Sequence, residues 1–125
     1  MPVKILIVDD SPLLHRMYDL ALRAYEGANI EPLFARDGAE GLTSLHGHPD
    51  TSLVLLDVNM PNMTGLEFLE RVRREPAFGG IRVVLQSTED TEDDVARGLA
   101  AGADAYLAKP FGPPQLYALL DRMLS

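Results

Sequence analysis

Short apolar runs alternate along this chain with segments of helical periodicity, and this alternation limits the possible folds more than any other feature. Leu53 to Leu56 is continuously apolar, which is typical of a strand buried on both faces of a parallel sheet. Further strands are predicted at Lys4 to Val8, Ile30 to Ala35, Ile81 to Gln86 and Ala105 to Ala108. Strands and helices that alternate without repeats or linkers predict a doubly wound α/β fold, with a five-stranded parallel sheet and five helices.

Pro32 constrains the order of these strands. Because proline cannot donate a hydrogen bond to a neighbouring strand, it is tolerated mainly on an edge strand. With right-handed crossovers, an edge position for the second strand predicts the flavodoxin-like order 2-1-3-4-5.

Helices are predicted between these strands and after the last one. Ser11 and Pro12 begin the first helix with a favoured cap residue and a proline at the first helical position. The apolar face of this helix is predicted to consist of Leu13, Leu14, Met17, Leu20, Ala21 and Ala24. The other helices are predicted at Gly38 to Leu45, after the Thr64 cap to about Arg74, with the acidic segment Glu89 to Asp94 in the first turn of the fourth, and at Pro113 to Leu124.

The fourth of these helices is predicted to be weakly packed. Only Val95 and Leu99 are expected to anchor it, and Gly98 costs about 1 kcal/mol relative to alanine. A marginal helix is one that is able to move.

Composition excludes several classes of function. The 125 residues fit one domain, expected to span residues 1–125, and the absence of cysteine excludes a disulfide scaffold, a thiol nucleophile and a cysteine-bound metal. The net charge of −8 has the wrong sign for following a phosphate backbone, so direct DNA binding is disfavoured. Neither a membrane-spanning run nor a signal-peptide pattern is present, so we expect a cytoplasmic protein without a membrane segment.

Acidic residues follow two of the predicted strands directly. Asp9 and Asp10 follow the first strand and Asp57 follows the third, which is its neighbour in the predicted order. The carboxyl ends of parallel strands are where ligands bind, and three converging carboxylates repel one another unless a cation is present. Mg²⁺ prefers a few carboxylate or carbonyl oxygens together with water, so the sequence predicts a magnesium site here.

Two further polar residues are predicted at the same edge of the sheet. Ser87 ends the fourth strand and offers a hydroxyl hydrogen bond, and Lys109 follows the fifth strand and offers a positive charge to a phosphoryl oxygen. Taken singly, the acids are explained as helix caps, the serine as a turn residue and the lysine as a solvated cation. Their common location favours a phosphate site around Asp57.

The motifs also carry a resemblance to a known family. They are Val8-Asp9-Asp10-Ser11, Leu56-Asp57-Val58-Asn59-Met60-Pro61, Thr64-Gly65, Ser87, Ala101-Gly102-Ala103 and Lys109-Pro110-Phe111. Together they resemble the receiver domain of two-component response regulators, especially the single-domain CheY type associated with chemotaxis. The resemblance covers essentially the whole chain.

This resemblance implies a role in phosphorelay signal transduction. Asp57 would accept a phosphoryl group from a histidine kinase or a phosphotransfer protein, and Ser87 and Lys109 would bind the phosphoryl oxygens. The protein would assist only its own phosphorylation and dephosphorylation and would not otherwise be an enzyme. The implied Mg²⁺ ligands are Asp10, Asp57 and the backbone carbonyl of Asn59, with Asp9 acting through water.

The resemblance further implies a conformational switch. Tyr106 would turn inward when Ser87 moves, although the residues alone leave a plain core role for this tyrosine open. The fourth helix, fifth strand and fifth helix would bind a downstream protein, and the chain would be a monomer or a weak phosphorylation-dependent dimer. A cis peptide at Lys109-Pro110 is implied as well. Because the chain stops after the fifth helix, we expect no output domain.

Three residues depart from the family pattern. Thr88 stands where alanine or glycine is usual, so access to the phosphoryl group is expected to be narrower. Gln86 is polar in a strand covered on both faces, so it needs a buried partner that the sequence does not identify. Thr64 replaces a common aspartate, a change that a helix cap tolerates.

Alternative functions are weighed against this one. An aspartate-nucleophile phosphatase commonly needs a second acid two residues after the nucleophile, where this chain has Asn59. A flavin or nucleotide module is disfavoured by the acids that follow the first strand. His46 and His48 lie in a predicted loop and are interpreted as surface residues rather than metal ligands. A receiver that is insensitive to phosphorylation and acts as a docking scaffold is the main alternative.

Overall fold

The structure, a computed structural model, describes residues 2–60, 63–88 and 91–124. Its strands are β1 (Val3–Val8), β2 (Ile30–Ala35), β3 (Leu53–Asp57), β4 (Arg82–Ser87) and β5 (Ala105–Ala108). Its helices are α1 (Pro12–Ala24), α2 (Gly38–Gly47), α3 (Gly65–Arg74), α4 (Glu92–Ala100) and α5 (Pro113–Met123), with a short 3-10 helix at Pro76–Phe78 that was not predicted. The strands pair in parallel in the order β2-β1-β3-β4-β5, which confirms the predicted topology. Within these residues, no helix combines the length and apolar character needed to cross a membrane.

Two hydrophobic clusters cover the two faces of the sheet, because successive side chains of a strand point in opposite directions. Leu6 and Val8 of β1 belong to one cluster, and Ile5 and Ile7 belong to the other. The first is completed by α2 and α3, through Leu45, Phe68, Leu69 and Val72. The second is completed by α1 and α5, through Tyr18, Leu22, Leu116, Leu119 and Leu120. With both faces covered, the ends of the strands are left for a ligand site.

The buried face of α1 differs from the predicted one. Leu13, Met17 and Leu20 are 67%, 53% and 68% exposed, whereas Tyr18 and Leu22 are buried. The predicted apolar face is therefore not the buried face, because helical periodicity marks a broad apolar arc and the contacts with the sheet and α5 decide which part of it is covered. Helix α1 therefore leaves a row of apolar side chains at the surface.

The two histidines near the end of α2 have separate neighbours. Helix α2 continues to Gly47, so placing His46 in a loop was wrong, because the helical ladder runs on to a cap at His48. His46 Nε2 lies 3.6 Å from Glu75 Oε1, and His48 Nδ1 lies 3.2 Å from Lys4 Nζ. Each imidazole thus has a different side-chain neighbour, in agreement with a surface role.

Helix α4 contacts the sheet through a glycine. Leu99 is 46% exposed, so its predicted role as an anchor was wrong. Among the nine residues described for α4, Gly98 alone is buried. A β-carbon at this position would lie 2.6 Å from Leu85 Cδ1 and 3.4 Å from Tyr106 Cδ2. The helix lies close to β4 and β5 because this residue has no side chain.

Gly65 lies against the backbone of Asp57 and Val58. It begins α3 after a capping box, in which Thr64 Oγ1 accepts the Glu67 N–H and the Glu67 carboxylate accepts the Thr64 N–H. A β-carbon on Gly65 would lie 2.5 Å from the Asp57 carbonyl oxygen and 2.8 Å from Val58 Cα. These are backbone atoms, so relief of the clash requires the loop itself to move.

We therefore expect Gly65→Ala to lower the free energy of unfolding by about 2–3 kcal/mol, as overpacking against rigid atoms does. Urea denaturation measures the change. The matched control is Gly47→Ala, because a β-carbon there meets no atom within 4 Å. Equal stability of the two variants would contradict the expected clash with the backbone of Asp57 and Val58.

Candidate functional site

Three carboxylates meet at the carboxyl end of the sheet. Asp57 is the last residue of β3, and Asp9 and Asp10 follow β1, which pairs directly with β3. One carboxylate oxygen from each of the three lies within 4.8 Å of the others. Asp9 and Asp57 are buried, whereas Asp10 is exposed to solvent. The structure thus brings together the three acids that the sequence placed at this edge.

Lys109 brings a positive charge to the two buried acids. It directly follows β5, and its Nζ lies 3.3 Å from Asp9 Oδ2 and 3.5 Å from Asp57 Oδ1. Its backbone N–H donates to the Ser87 carbonyl oxygen at 2.8 Å, so the ends of β4 and β5 are joined at the site. The peptide bond to Pro110 is cis, in agreement with the resemblance. The ammonium group of Lys109 thus lies within 3.5 Å of both buried carboxylates.

The surroundings of Asp57 disfavour its ionised form. Burial raises the pKa of this carboxyl above its ordinary value, and the neighbouring Asp9 raises it further, while Lys109 and the Asn59 N–H oppose the rise. The Asn59 N–H donates to Asp57 Oδ1 at 3.2 Å. The net direction is upward, so additional positive charge close to Asp57 would favour its ionised form.

The donor set of this cluster fits magnesium. The three acids offer hard carboxylate oxygens, and neither sulfur nor imidazole belongs to the described cluster. Mg²⁺ takes a small number of such oxygens and keeps several waters, whereas softer metals prefer sulfur or imidazole. The exposed position of Asp10 leaves one side of the cluster open to solvent and to a phosphate-bearing molecule.

Ser87 lies on β4, which pairs with β3, and Tyr106 lies on β5, the next strand after β4. Ser87 is the last residue of β4 and is 1% exposed. Tyr106 is half-buried on β5, where it pairs in register with Leu85. With Gly98 and Arg97, it lines a small cavity of about 150 Å³ between β5 and α4. The serine is therefore near the acids, while the tyrosine lies on the side toward α4.

Gln86 has a partner that the sequence did not identify. The Tyr18 hydroxyl donates to Gln86 Oε1, and Gln86 Nε2 lies 3.4 Å from Asp9 Oδ2. The sequence identified Gln86 as a polar residue in a buried strand, but Tyr18 was not among the residues predicted for the apolar face of α1. A tyrosine adjacent to that face was the available signal, because a buried tyrosine hydroxyl usually has a hydrogen-bond partner.

An apolar groove opens beside Lys109. It has a volume of about 280 Å³ and lies between α1 and the segment that joins β5 to α5. Its walls include Leu14, Met17, Tyr18, Phe111 and Leu116, and Thr88 and Lys109 line it as well. Thr88 is exposed, so this departure from the family pattern stands at the mouth of the site. Pro61, Glu89 and Asp90, which belong to the predicted motifs, lie outside the described residues.

Comparisons with known proteins agree with this geometry. The sequence model of the response regulator receiver domain family matches residues 5–121. Chemotaxis protein CheY1 of Helicobacter pylori is 34% identical over 98% of this chain and 97% of that protein. The probable transcriptional regulatory protein TcrX of Mycobacterium tuberculosis is 40% identical, but the chain spans only 50% of its length. The structure of the chemotaxis response regulator CheY4 of Vibrio cholerae matches with a TM-score of 0.90 and 32% identity, over 98% of this chain and 99% of that one.

Proposed function

Because this chain belongs to the response regulator receiver domain family, whose members are signalling proteins of two-component systems, we propose that Asp57 is its phosphoacceptor. The observation that carries this proposal is the meeting of Asp9, Asp10 and Asp57 with Lys109 at one end of the sheet. The phosphoryl donor would be a histidine kinase or a phosphotransfer protein. Residues 1–125 would form one receiver domain.

The chemistry assigned to Asp57 is nucleophilic attack on phosphorus. A carboxylate oxygen forms a P–O bond while the P–N bond of a phosphohistidine breaks, and the electron pair leaves on the imidazole nitrogen, which takes a proton from solvent. Positioning and charge neutralisation account for most of the catalysis in phosphoryl transfer. Lys109, at 3.5 Å from Asp57 Oδ1, is placed to neutralise charge on the transferred group.

Magnesium fits the proposal through the acids around Asp57. Its proposed ligands are Asp10, Asp57 and the backbone carbonyl of Asn59, with Asp9 acting through water. A bound Mg²⁺ supplies positive charge that offsets the repulsion between the carboxylates and the phosphoryl oxygens. The upward direction of the Asp57 pKa supports this requirement for a cation.

The signal would leave through α4, β5 and α5. Aspartyl phosphate adds up to about two negative charges and three acceptor oxygens at one point. Ser87 and Lys109 would bind these oxygens, and their backbones are already joined by a hydrogen bond. Tyr106, beside Gly98, is the proposed switch residue, and a downstream protein would bind this face of a monomer or of a weak phosphorylation-dependent dimer.

A docking scaffold that does not respond to phosphorylation is the second candidate. The observation in its favour is Thr88, whose exposed side chain lines the groove that opens beside Lys109. Under this candidate, Thr88 would narrow the approach of a phosphoryl donor to Asp57 while all the proposed site residues remain in place. The two candidates therefore differ in whether a small phosphoryl donor reaches the carboxylate.

Acetyl phosphate distinguishes the two candidates. We expect intact-mass spectrometry to detect one added phosphoryl group when Mg²⁺ is present and none when EDTA removes it, because the clustered acids need a second cation. Beryllofluoride with Mg²⁺ should shift the amide NMR signals of α4 and β5. A protein that stays unlabelled at every donor concentration, with no shift in these signals, would support the scaffold.

A further inference from the structure

We propose that Gln86, held by Tyr18, is a positioning residue that keeps Asp9 hydrogen-bonded when Lys109 turns from Asp9 to a phosphoryl group on Asp57. This inference rests on the proposed function of Asp57. It assigns a role to the one residue of β4 that the hydrophobic pattern left unexplained.

The geometry forms a continuous buried chain from α1 to the site. The Tyr18 hydroxyl donates to Gln86 Oε1, Gln86 Nε2 faces Asp9 Oδ2 at 3.4 Å, and Lys109 Nζ lies 3.3 Å from that same oxygen. Tyr18, Gln86 and Asp9 are 3%, 1% and 1% exposed. Because water has so little access to these groups, protein atoms must supply the hydrogen bonds that each of them makes.

The direction of these hydrogen bonds follows from the chemistry of the groups. An ionised Asp9 only accepts, so the amide NH₂ of Gln86 must face it and the amide oxygen must face Tyr18. Burial raises the pKa of the Tyr18 hydroxyl, and the charges of Asp9 and Asp57 raise it further. The hydroxyl therefore keeps its proton and donates it to Gln86, which holds the amide in a single orientation.

Two donors share one oxygen of Asp9. Oδ1 accepts the Ser11 N–H at 2.9 Å, while Oδ2 faces both Lys109 and Gln86. Lys109 is also 3.5 Å from Asp57 Oδ1, so a small movement of its side chain changes which acid it pairs with. Among the described hydrogen bonds, the amide of Gln86 makes no corresponding contact with Asp57. Its oxygen accepts a hydrogen bond from the Tyr18 hydroxyl on the side away from Asp9.

Phosphorylation alters the balance between these donors. The added negative charge on Asp57 attracts the Lys109 ammonium, and Asp9 then keeps only uncharged donors from the protein. Loss of a donor leaves a buried carboxylate poorly solvated, which is costly. The Gln86 amide is therefore more important to the phosphorylated state than to the resting state, and its loss should weaken phosphoryl binding specifically.

The test compares wild-type protein with Gln86→Met, which keeps the length of the side chain, and Tyr18→Phe, which keeps the ring. Beryllofluoride at saturating Mg²⁺ serves as the phosphoryl analogue, and Mg²⁺ alone is titrated separately. We expect Gln86→Met to bind beryllofluoride about tenfold more weakly, the effect of one hydrogen bond to a charged group, and Tyr18→Phe to weaken it by a smaller factor, since the bond that it removes is to a neutral amide. Mg²⁺ affinity should be unchanged in both variants. In wild type, the ¹⁵N signal of the Gln86 NH₂ should move on beryllofluoride binding.

Tyr117→Phe is the matched control. Tyr117 also donates a hydroxyl hydrogen bond, to the Ala21 carbonyl oxygen at 2.7 Å, but it joins α5 to α1 away from the acids. This variant should bind beryllofluoride like wild type. A general weakening of the fold by a lost tyrosine hydroxyl would instead affect all the tyrosine variants.

The outcomes separate this inference from the function on which it rests. If wild type binds beryllofluoride but Gln86→Met and Tyr18→Phe bind it equally well, Gln86 only fills space and the inference is wrong. If both variants lose Mg²⁺ affinity by as large a factor as they lose beryllofluoride affinity, the residues support the whole acidic cluster and the inference is also wrong. If wild type itself fails to bind beryllofluoride, the phosphoacceptor function fails and the inference fails with it.

Discussion

Asp57→Asn is expected to lower the rate of labelling by acetyl phosphate at least about 100-fold, because an amide is not a nucleophile toward phosphorus at neutral pH. Intact-mass spectrometry in the presence of Mg²⁺ measures this loss. Asp50→Asn is the matched control, since Asp50 is an exposed acid paired with Lys4 at 3.0 Å. Labelling of Asp57→Asn to the wild-type level would exclude this residue as the acceptor.

The same variant is expected to be more stable than wild type near neutral pH. The pKa of Asp57 in the folded state is raised, so its ionised form destabilises the fold. Such a group contributes stability below its unfolded pKa and loses that contribution as the pH rises through the folded pKa. Asparagine carries no charge, so Asp57→Asn should gain about 1 kcal/mol near neutral pH, measured without Mg²⁺, and the gain should shrink in mild acid.

Lys109→Met is expected to lower the free energy of unfolding strongly near neutral pH. The substitution removes the cation between Asp9 and Asp57 while keeping an unbranched apolar stem. The two buried carboxylates then repel each other without compensation, and we expect a loss of about 2–3 kcal/mol near neutral pH, since breaking a buried ion pair leaves an unpaired charge. Phosphorylation by acetyl phosphate should fall at least about tenfold, because the transferred group loses a charge-assisted contact.

The stability loss in Lys109→Met depends on pH, and the direction of this dependence follows from the two buried carboxyl groups. Lys109 lowers the pKa of Asp57, so its removal moves the folded pKa still further above the unfolded one. The penalty should therefore be largest near neutral pH and should decrease in mild acid as the carboxyls take up protons. Urea denaturation at the two pH values, without and with Mg²⁺, measures the difference, and Mg²⁺ should restore part of the loss.

Lys4→Met is the control for this lysine. Lys4 pairs with Asp50, whose side chain is 67% exposed, so the loss should stay below about 1 kcal/mol. Equal losses in the two lysine variants would show that Lys109 does not compensate the buried acids. A loss in Lys109→Met that is the same in mild acid and near neutral pH would contradict the electrostatic explanation.

The topology of the sheet was predictable because the strands can be identified from their own residues. The apolar runs identified the strands, and Pro32 assigned β2 to an edge without any knowledge of its neighbour. The acids and Lys109 then converged because the ends of parallel strands share one edge. The strand order and the convergence of the acids were therefore predictable from the residues of single strands and from the general rules of parallel sheets.

The contacts between elements were less predictable. Periodicity on α1 assigned Leu13 and Leu20 to its apolar face, but packing against α5 and the sheet buries Tyr18 instead. Leu99 looked like an anchor of α4 until the close approach at Gly98 left it at the surface. Likewise, the Tyr18 partner of Gln86 is 68 positions away in the chain, so no local pattern connects the two.

The glycine at the contact of α4 with the sheet is a position at which the proposed output face could be altered separately from the proposed phosphoacceptor site. Any larger residue at position 98 would push against the Leu85 side chain, next to Tyr106, rather than against the acids or Lys109. If α4 carries the proposed output, substitutions at position 98 would change its strength while leaving the side chains around Asp57 in place.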